Sequence, residues 1–400
     1  MQGQKYLGAP VIIGLITALS MVGPLSTDMY LPALSDIVSF FGTTEALMNI
    51  TLYGFFFMQA IGILILGPVS DKFGRKYLLL GSVAVYTIAS FLASLALNIG
   101  WFITFRCIQG LAAGGFIVIS TALIKDCFRD VKVRGRVLTL TVFFGVIGPV
   151  IAPILGAWLI EAINWQFTLV FPGIFAFICF VITVFLSEPL SPEEKITEKI
   201  GAVLLRMPRL CKNKPFALFL LAMSLLSAPF MCYIAVSSYI YVDGFGLSGT
   251  VFSYILAGNA LAATFLMLIL QRGAGVFGQR RLGLIAIGLT LLTAVLLLTV
   301  GPVHPAVCIL SILPVCVGAF TARPYAIGIL MQQYAGDTGS VSSLFNFGAM
   351  MFSCIGMFCG TLPWPTHIFA LGATAAIFGV LALLVWIVLK TGGMKLKGLD

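Results

Sequence analysis

Charge is what this chain has least of. Asp, Glu, Lys and Arg make up 9% of its 400 residues, against roughly 25% in a soluble globular domain. A soluble fold is excluded, and the 60% hydrophobic content and mean hydropathy of +1.10 agree. Histidine is almost missing: His304 and His367 each stand alone. The nine cysteines form no CxxC pair, and they fall in or beside apolar runs except for Cys211. Neither a metal site nor a disulfide framework is expected. The G-x-x-x-x-G-K-[ST] phosphate loop is absent too, so any ATP hydrolysis would belong to a separate chain. No cofactor and no enzyme activity are expected. The net charge of +9 suggests a nucleic-acid partner until the charges are located.

Apolar runs of about 20 residues, the length that crosses a bilayer core, recur along the whole chain. They fall near 10–33, 46–69, 77–97, 101–124, 136–160, 165–187, 216–241, 249–271, 282–301, 305–334, 339–361 and 364–389. Lipid offers the backbone no hydrogen-bond partner, so each run reads as a helix. The expected fold is all-α, with twelve transmembrane helices. The longest polar stretch, 188–214, separates two six-span bundles, 1–187 and 215–400. Within it, EEKITEKI has helical spacing suited to a membrane surface.

The basic residues lie on one side. Lys5, then Lys72, Arg75 and Lys76, then Lys125, Arg129, Lys132, Arg134 and Arg136 fall in loops of one parity. So do Lys195, Lys199, Arg206, Arg209, Lys212 and Lys214, then Arg272, Arg280 and Arg281, and finally Lys390, Lys395 and Lys397. The loops of the other parity carry Asp36, Glu45, Glu161 and Asp243 and no Lys or Arg. This bias predicts both termini in the cytoplasm. The connection between spans ten and eleven departs from the pattern, with only Asp337. The first span is read as its own uncleaved targeting signal.

The loop between spans two and three reads Gly67-Pro-Val-Ser-Asp71-Lys-Phe-Gly74-Arg75-Lys76. A worn copy lies 204 residues on, where Val276-Phe277-Gly278-Gln279-Arg280 echoes Lys72-Phe73-Gly74-Arg75-Lys76 and Gly275 replaces the Asp. Two parallel halves are therefore expected. Gly145, Gly148, Pro149, Pro153 and Gly156 thin and kink the fifth span. Ala257, Gly258, Ala260, Ala262 and Ala263 thin the eighth, and Gly356 and Gly360 thin the eleventh. Small residues let helices approach closely, so spans five and eight are expected to cross. Pro149 and Pro153 are candidate hinges.

Asp28 is the single acid placed within the hydrocarbon core, in Gly23-Pro-Leu-Ser-Thr-Asp28-Met-Tyr-Leu-Pro32. An intramembrane carboxylate is a functional candidate by default, here for loading and releasing a proton. Arg106 begins Arg-Cys-Ile-Gln109-Gly110 in the fourth span. From the outer ends of their spans, Arg106 lies about 9 Å deep and Asp28 about 12 Å. The two are expected within direct or water-mediated reach, a pair whose making and breaking switches proton affinity. Asp71 is read as a gate latch against the N-terminal end of span eleven, with Thr338 or Ser340 as its cap, or against a nearby basic residue. Arg75 and Lys76 also suit headgroup anchoring. Arg323, beside Pro324, is read as snorkelling or inner-gate. Candidate cavity residues are Tyr30, Tyr53, Phe56, Phe57, Gln59 and Gln109 in the first half. Tyr233, Tyr239, Asn259, Phe345 and Asn346 are the candidates in the second.

Several of these strings resemble one family. GPVSDKFGRK is similar to the signature loop of the major facilitator superfamily, G-x-x-x-D-x-x-G-R-[RK]. Arg106-x-x-Gln109-Gly110 resembles that family's fourth-helix proton-coupling motif. Gly145-x-x-Gly148-Pro149-x-x-x-Pro153-x-x-Gly156 resembles its fifth-helix antiporter motif, with Ala152 and Ala157 in place of glycines. Pro24 to Leu34 resembles the first-helix signature of the bicyclomycin/chloramphenicol-resistance subfamily of drug:proton antiporters. Some relatives have a second acid in the first helix where Ser20 stands here, which disfavours multiply charged cations as cargo. The resemblance implies alternating access and proton-driven export of a small amphipathic drug, metabolite or siderophore. A monomer in the bacterial inner membrane is expected, with protons, the substrate and lipid as partners; the placement of the basic residues argues against nucleic acid. The alternatives are an uptake symporter or uniporter of the same fold, and a sensor or membrane subunit of an ATP-driven pump.

Overall fold

A run of apolar residues in lipid must close its own backbone hydrogen bonds, and among the described residues every apolar run is helical, with no strand. The computed structural model describes residues 4, 6–128, 130–191, 193, 195, 200–201, 210–334, 338–392 and 396–399. Lys5, Arg129, Lys199, Arg206, Arg209, Asp337, Lys395 and most of EEKITEKI lie outside them, as does the side chain of Thr338. Among the described residues, twelve helical segments are long and apolar enough to cross a membrane. The chain divides into two compact units, Met1–Leu204 and Leu205–Asp400.

The first unit holds α1 (Ala9–Asp28), a short 3-10 turn (Leu31–Ala33), α2 (Leu34–Phe41), α3 (Glu45–Phe73) and α4 (Arg75–Ser94). It continues with α5 (Ile99–Cys127), α6 (Val131–Ala162) and α7 (Phe167–Val184). Side-chain caps set several starts: Thr44 accepts from the Leu47 amide, Asn98 from that of Trp101, and Asp130 from those of Lys132 and Val133. The first span differs from the sequence expectation. It does not stop near residue 33 but breaks after Asp28 and resumes to Phe41. Pro32 has no amide hydrogen and disfavours helical geometry in the residue before it. The resumed helix ends at Gly42, whose φ of +57° closes the last turn.

The second unit holds α8 (Lys214–Leu225), α9 (Ser227–Ser238), a widened turn over Tyr239–Gly244, and α10 (Gly249–Phe277). Then follow α11 (Gln279–Thr299), α12 (Pro305–Gln333), α13 (Thr338–Gly360) and α14 (His367–Thr391). Pro229 cannot donate back to Leu225, and the helix interrupts there, between α8 and α9.

The halves repeat each other in backbone geometry. Gly74 starts α4 at φ +110°, ψ 153°, and Gly278, 204 residues later, starts α11 at φ +89°, ψ 150°. Residues with a Cβ rarely adopt such angles. Close approaches repeat as well. A methyl on Gly156 of α6 would strike the Met29 carbonyl at the end of α1. One on Gly356 of α13 would strike the Ala228 carbonyl of α9. Within the first unit α3 and α5 meet backbone to backbone, since a methyl on Gly110 would strike the Phe55 carbonyl and one on Gly114 that of Gln59. That contact seats α5 directly against Phe55, one helical turn from Arg106.

Candidate functional site

Arg106 is wholly buried in the first unit. Its guanidinium lies between two rings, 4.7 Å from the Tyr30 centroid and 4.6 Å from that of Phe55. One guanidinium nitrogen donates to Ser26 Oγ at 3.1 Å and to Gln109 Oε1 at 3.0 Å. Gln109 in turn donates to Ser90 Oγ at 2.7 Å, and Ser90 to the Leu169 carbonyl at 3.1 Å. Tyr30 shares a hydrogen bond of 3.0 Å with Thr51. One cation thus ties together α1, α3, α4, α5 and α7. The ring faces supply the negative potential that an ion at this depth needs.

Asp28 is not the partner of Arg106 in this structure. Its carboxylate accepts one hydrogen bond, from Thr27 Oγ1 at 2.9 Å, and no cation lies within ion-pair distance among the described residues. The reason is helical geometry. Ser26 and Asp28 are two residues apart and point nearly opposite ways around α1, so the face that offers Ser26 to Arg106 turns Asp28 aside. Asp28 is half-buried, at the last residue of α1, where the chain breaks ahead of Pro32.

The motif loop forms a second polar cluster. Arg75 pairs with Asp71 one turn before it and donates from Nε to Asp126 Oδ2 at 2.9 Å and from a terminal nitrogen to Ser70 Oγ at 2.5 Å. The backbone amides of Arg75 and Lys76 both donate to the Glu188 carboxylate, at 2.9 and 3.0 Å. Glu188 thereby sits on the N-terminal end of α4, where the helix dipole favours an anion. A methyl on Gly74 would strike that carboxylate. Arg75 is buried in this cage and not a free surface cation.

In the second unit Asn259 donates to the Tyr233 hydroxyl at 3.1 Å. The buried Tyr239 ring stacks on His367 at 5.4 Å. Arg323 of α12 is exposed and donates to Asn346 Oδ1 of α13 at 3.1 Å. Phe345 packs into the apolar core of that unit. Back on α3, Gln59 is buried, Tyr53 and Phe56 are half-buried, and Phe57 is exposed. Gly67 packs on Val118, Gly148 of α6 on Pro24 of α1, and Gly145 has nothing within 4 Å of where a Cβ would stand. Pro149 and Pro153 lie inside a continuous α6. Ser26, Ser90, Asp126 and Glu188 escaped the sequence reading. Ser82, Tyr86 and Ser90 repeat every four residues in an apolar run, a legible polar stripe on α4. Nothing in the spacing announces Glu188, 113 residues from Arg75.

The model of the Major Facilitator Superfamily matches residues 16–357, and the chain belongs to that family. The bicyclomycin resistance protein homolog of Haemophilus influenzae is 23% identical over 95% of this chain and 96% of its own length. The multidrug resistance protein MdtL of Escherichia coli O139:H28 is 26% identical over 91% and 90%. Among solved structures, a D-xylose-proton symporter superposes with a TM-score of 0.75 at 16% identity, covering 96% of this chain and 97% of that one, a likeness of fold. The protein is a multi-pass membrane transporter and not an enzyme.

Proposed function

We propose that this major facilitator exports a small amphipathic compound in exchange for protons across the bacterial inner membrane. Asp28 carries the reading. An unpaired carboxylate in a membrane span costs several kcal/mol as an anion, and proton uptake removes the charge. Its place at the break after α1, beside the turn that leads to Tyr30 and Arg106, lets protonation act on the chain that packs against the buried cation. Relatives named for bicyclomycin and multidrug resistance support efflux as the direction. The basic loops support cytoplasmic termini, and the chain works as a monomer.

The experiment is transport in proteoliposomes under an imposed pH gradient. Asp28→Asn keeps the shape and removes the titrating proton. Folding is expected to persist, with gradient-driven transport falling by at least ten-fold. Normal gradient-driven transport by Asp28→Asn, or a requirement for ATP, would overturn the reading.

A further inference from the structure

Arg323 is the second arginine set deep within an apolar run, and its setting is the reverse of that of Arg106. It is the nineteenth of the 29 residues of α12, about 6 Å from the middle of that helix and about 15 Å from its end at Gln333. Side chains on a helix lean toward its N-terminus, so Arg323 leans toward the middle of α12 and away from the end that joins the basic side. Snorkelling to that end is therefore disfavoured. An ionised side chain is not presented to lipid tails, so the open face that carries Arg323 is one reached by water.

Among the described residues no acid pairs with it. Residues 205–400 contain Asp243, Asp337 and Asp400 and no Glu. Asp243 stands at the far end of its span, in the turn Tyr239–Gly244, while Asp337 and Asp400 lie outside the described residues. The polar side chain bonded to Arg323 is Asn346. Arginine can only donate, so Asn346 must turn its carbonyl toward Arg323, which leaves the Asn346 amide NH2 as a further donor beside the guanidinium. Phe320, three residues before Arg323 on the same face of α12, meets Phe230 of α9 edge-on at 5.4 Å and 77°. Both rings are half-buried.

We infer that Arg323 and Asn346 form a binding subsite for the carboxylate of an amphipathic aromatic anion, whose ring rests on Phe320 and Phe230. This deepens the proposed export function by naming the charge class of the cargo, and rests on it only for direction. The planar fork of arginine matches a carboxylate with two parallel hydrogen bonds, and an aromatic face within reach favours a flat apolar body.

The test is equilibrium binding to the purified full chain in detergent, using naphthoate and phenylbenzoate, each against its uncharged carboxamide. The carboxylates are expected to bind about ten-fold or more tightly than the amides. Arg323→Gln should erase that preference while amide binding persists, and Arg323→Lys should restore part of it. Asn346→Asp supplies a resident carboxylate to Arg323 and should abolish carboxylate binding while leaving the amides. Asp28→Asn should leave the preference intact, which separates this subsite from proton coupling. Equal affinity of acids and amides, absence of binding by every pair, or a preference that survives both Arg323→Gln and Asn346→Asp overturns the subsite. Failure of gradient-driven export with the preference retained overturns only the direction.

Discussion

A buried guanidinium between two rings draws its stability from faces as well as hydrogen bonds. Two nitrogens of Arg106, Nε and one terminal nitrogen, have no hydrogen-bond partner, and the Tyr30 and Phe55 rings fill their place. Phe55→Leu keeps most of the volume but removes one face. It is expected to cost about 1–2 kcal/mol, read as a lower thermal midpoint in detergent, with a smaller loss from the same change in an Arg106→Met background. Additive losses would show that the rings only pack. Gly74 presents the opposite case, a residue chosen for what it lacks. Gly74→Ala must hold φ +110° and push Glu188 off the start of α4. A destabilisation of about 1–3 kcal/mol is expected. Glu188→Gln, which keeps the shape, should lose only about 0.3–1 kcal/mol. A neutral Gly74→Ala would refute the Glu188 clamp.

Helices in this chain touch where a side chain is missing. Gly156 lets α6 reach the end of α1, and Gly356 lets α13 reach α9. The two positions lie 200 residues apart and perform the same service in each unit. Gly156→Ala and Gly356→Ala are expected to destabilise by about 1–3 kcal/mol, because a backbone carbonyl cannot rotate away. Gly145 and Gly258 have open space instead. Alanine there should hold or raise the stability by up to about 1 kcal/mol of helix propensity, read as an unchanged or higher thermal midpoint. If Gly145→Ala folds normally and slows transport, the fifth-span hinge gains its support. Equal changes at all four glycines would mean that contact does not set the result.

At the scale of the whole molecule, the topology can be read through one thiol. Cys211 is exposed between the two units' spans, whereas the other cysteines are buried or half-buried. With the basic loops facing the cytoplasm, a membrane-impermeant maleimide should label Cys211 in inside-out vesicles and not in intact cells. Although the residue is exposed, desolvation of its sulfur by the neighbouring chain raises this thiol above its usual range. The thiolate is the reactive form, so labelling should keep accelerating above a pH of about 8.5. Labelling in intact cells would reverse the assigned orientation.

Twelve helices were legible without coordinates because lipid leaves a backbone no alternative to closing its own hydrogen bonds, and apolar runs of span length are local in sequence. The repeat was legible too, since a glycine forced to positive φ, as at Gly74 and Gly278, leaves a fixed mark. Asp28 and Arg106 stood out because ionised residues are rare in spans. What they touch was not legible. The register of α1 against α5 gives Arg106 to Ser26 and turns Asp28 away, and two residues along a helix decide that. The break at Asp28 depends on Pro32 acting from four residues ahead. Glu188 and Asp126 reach Arg75 across 113 and 51 positions, a meeting that only the packing of α4, α5 and the end of α7 brings about. Composition and period are one-dimensional and survive in the sequence; partners chosen by helix rotation and crossing are three-dimensional and exist only once the helices are packed.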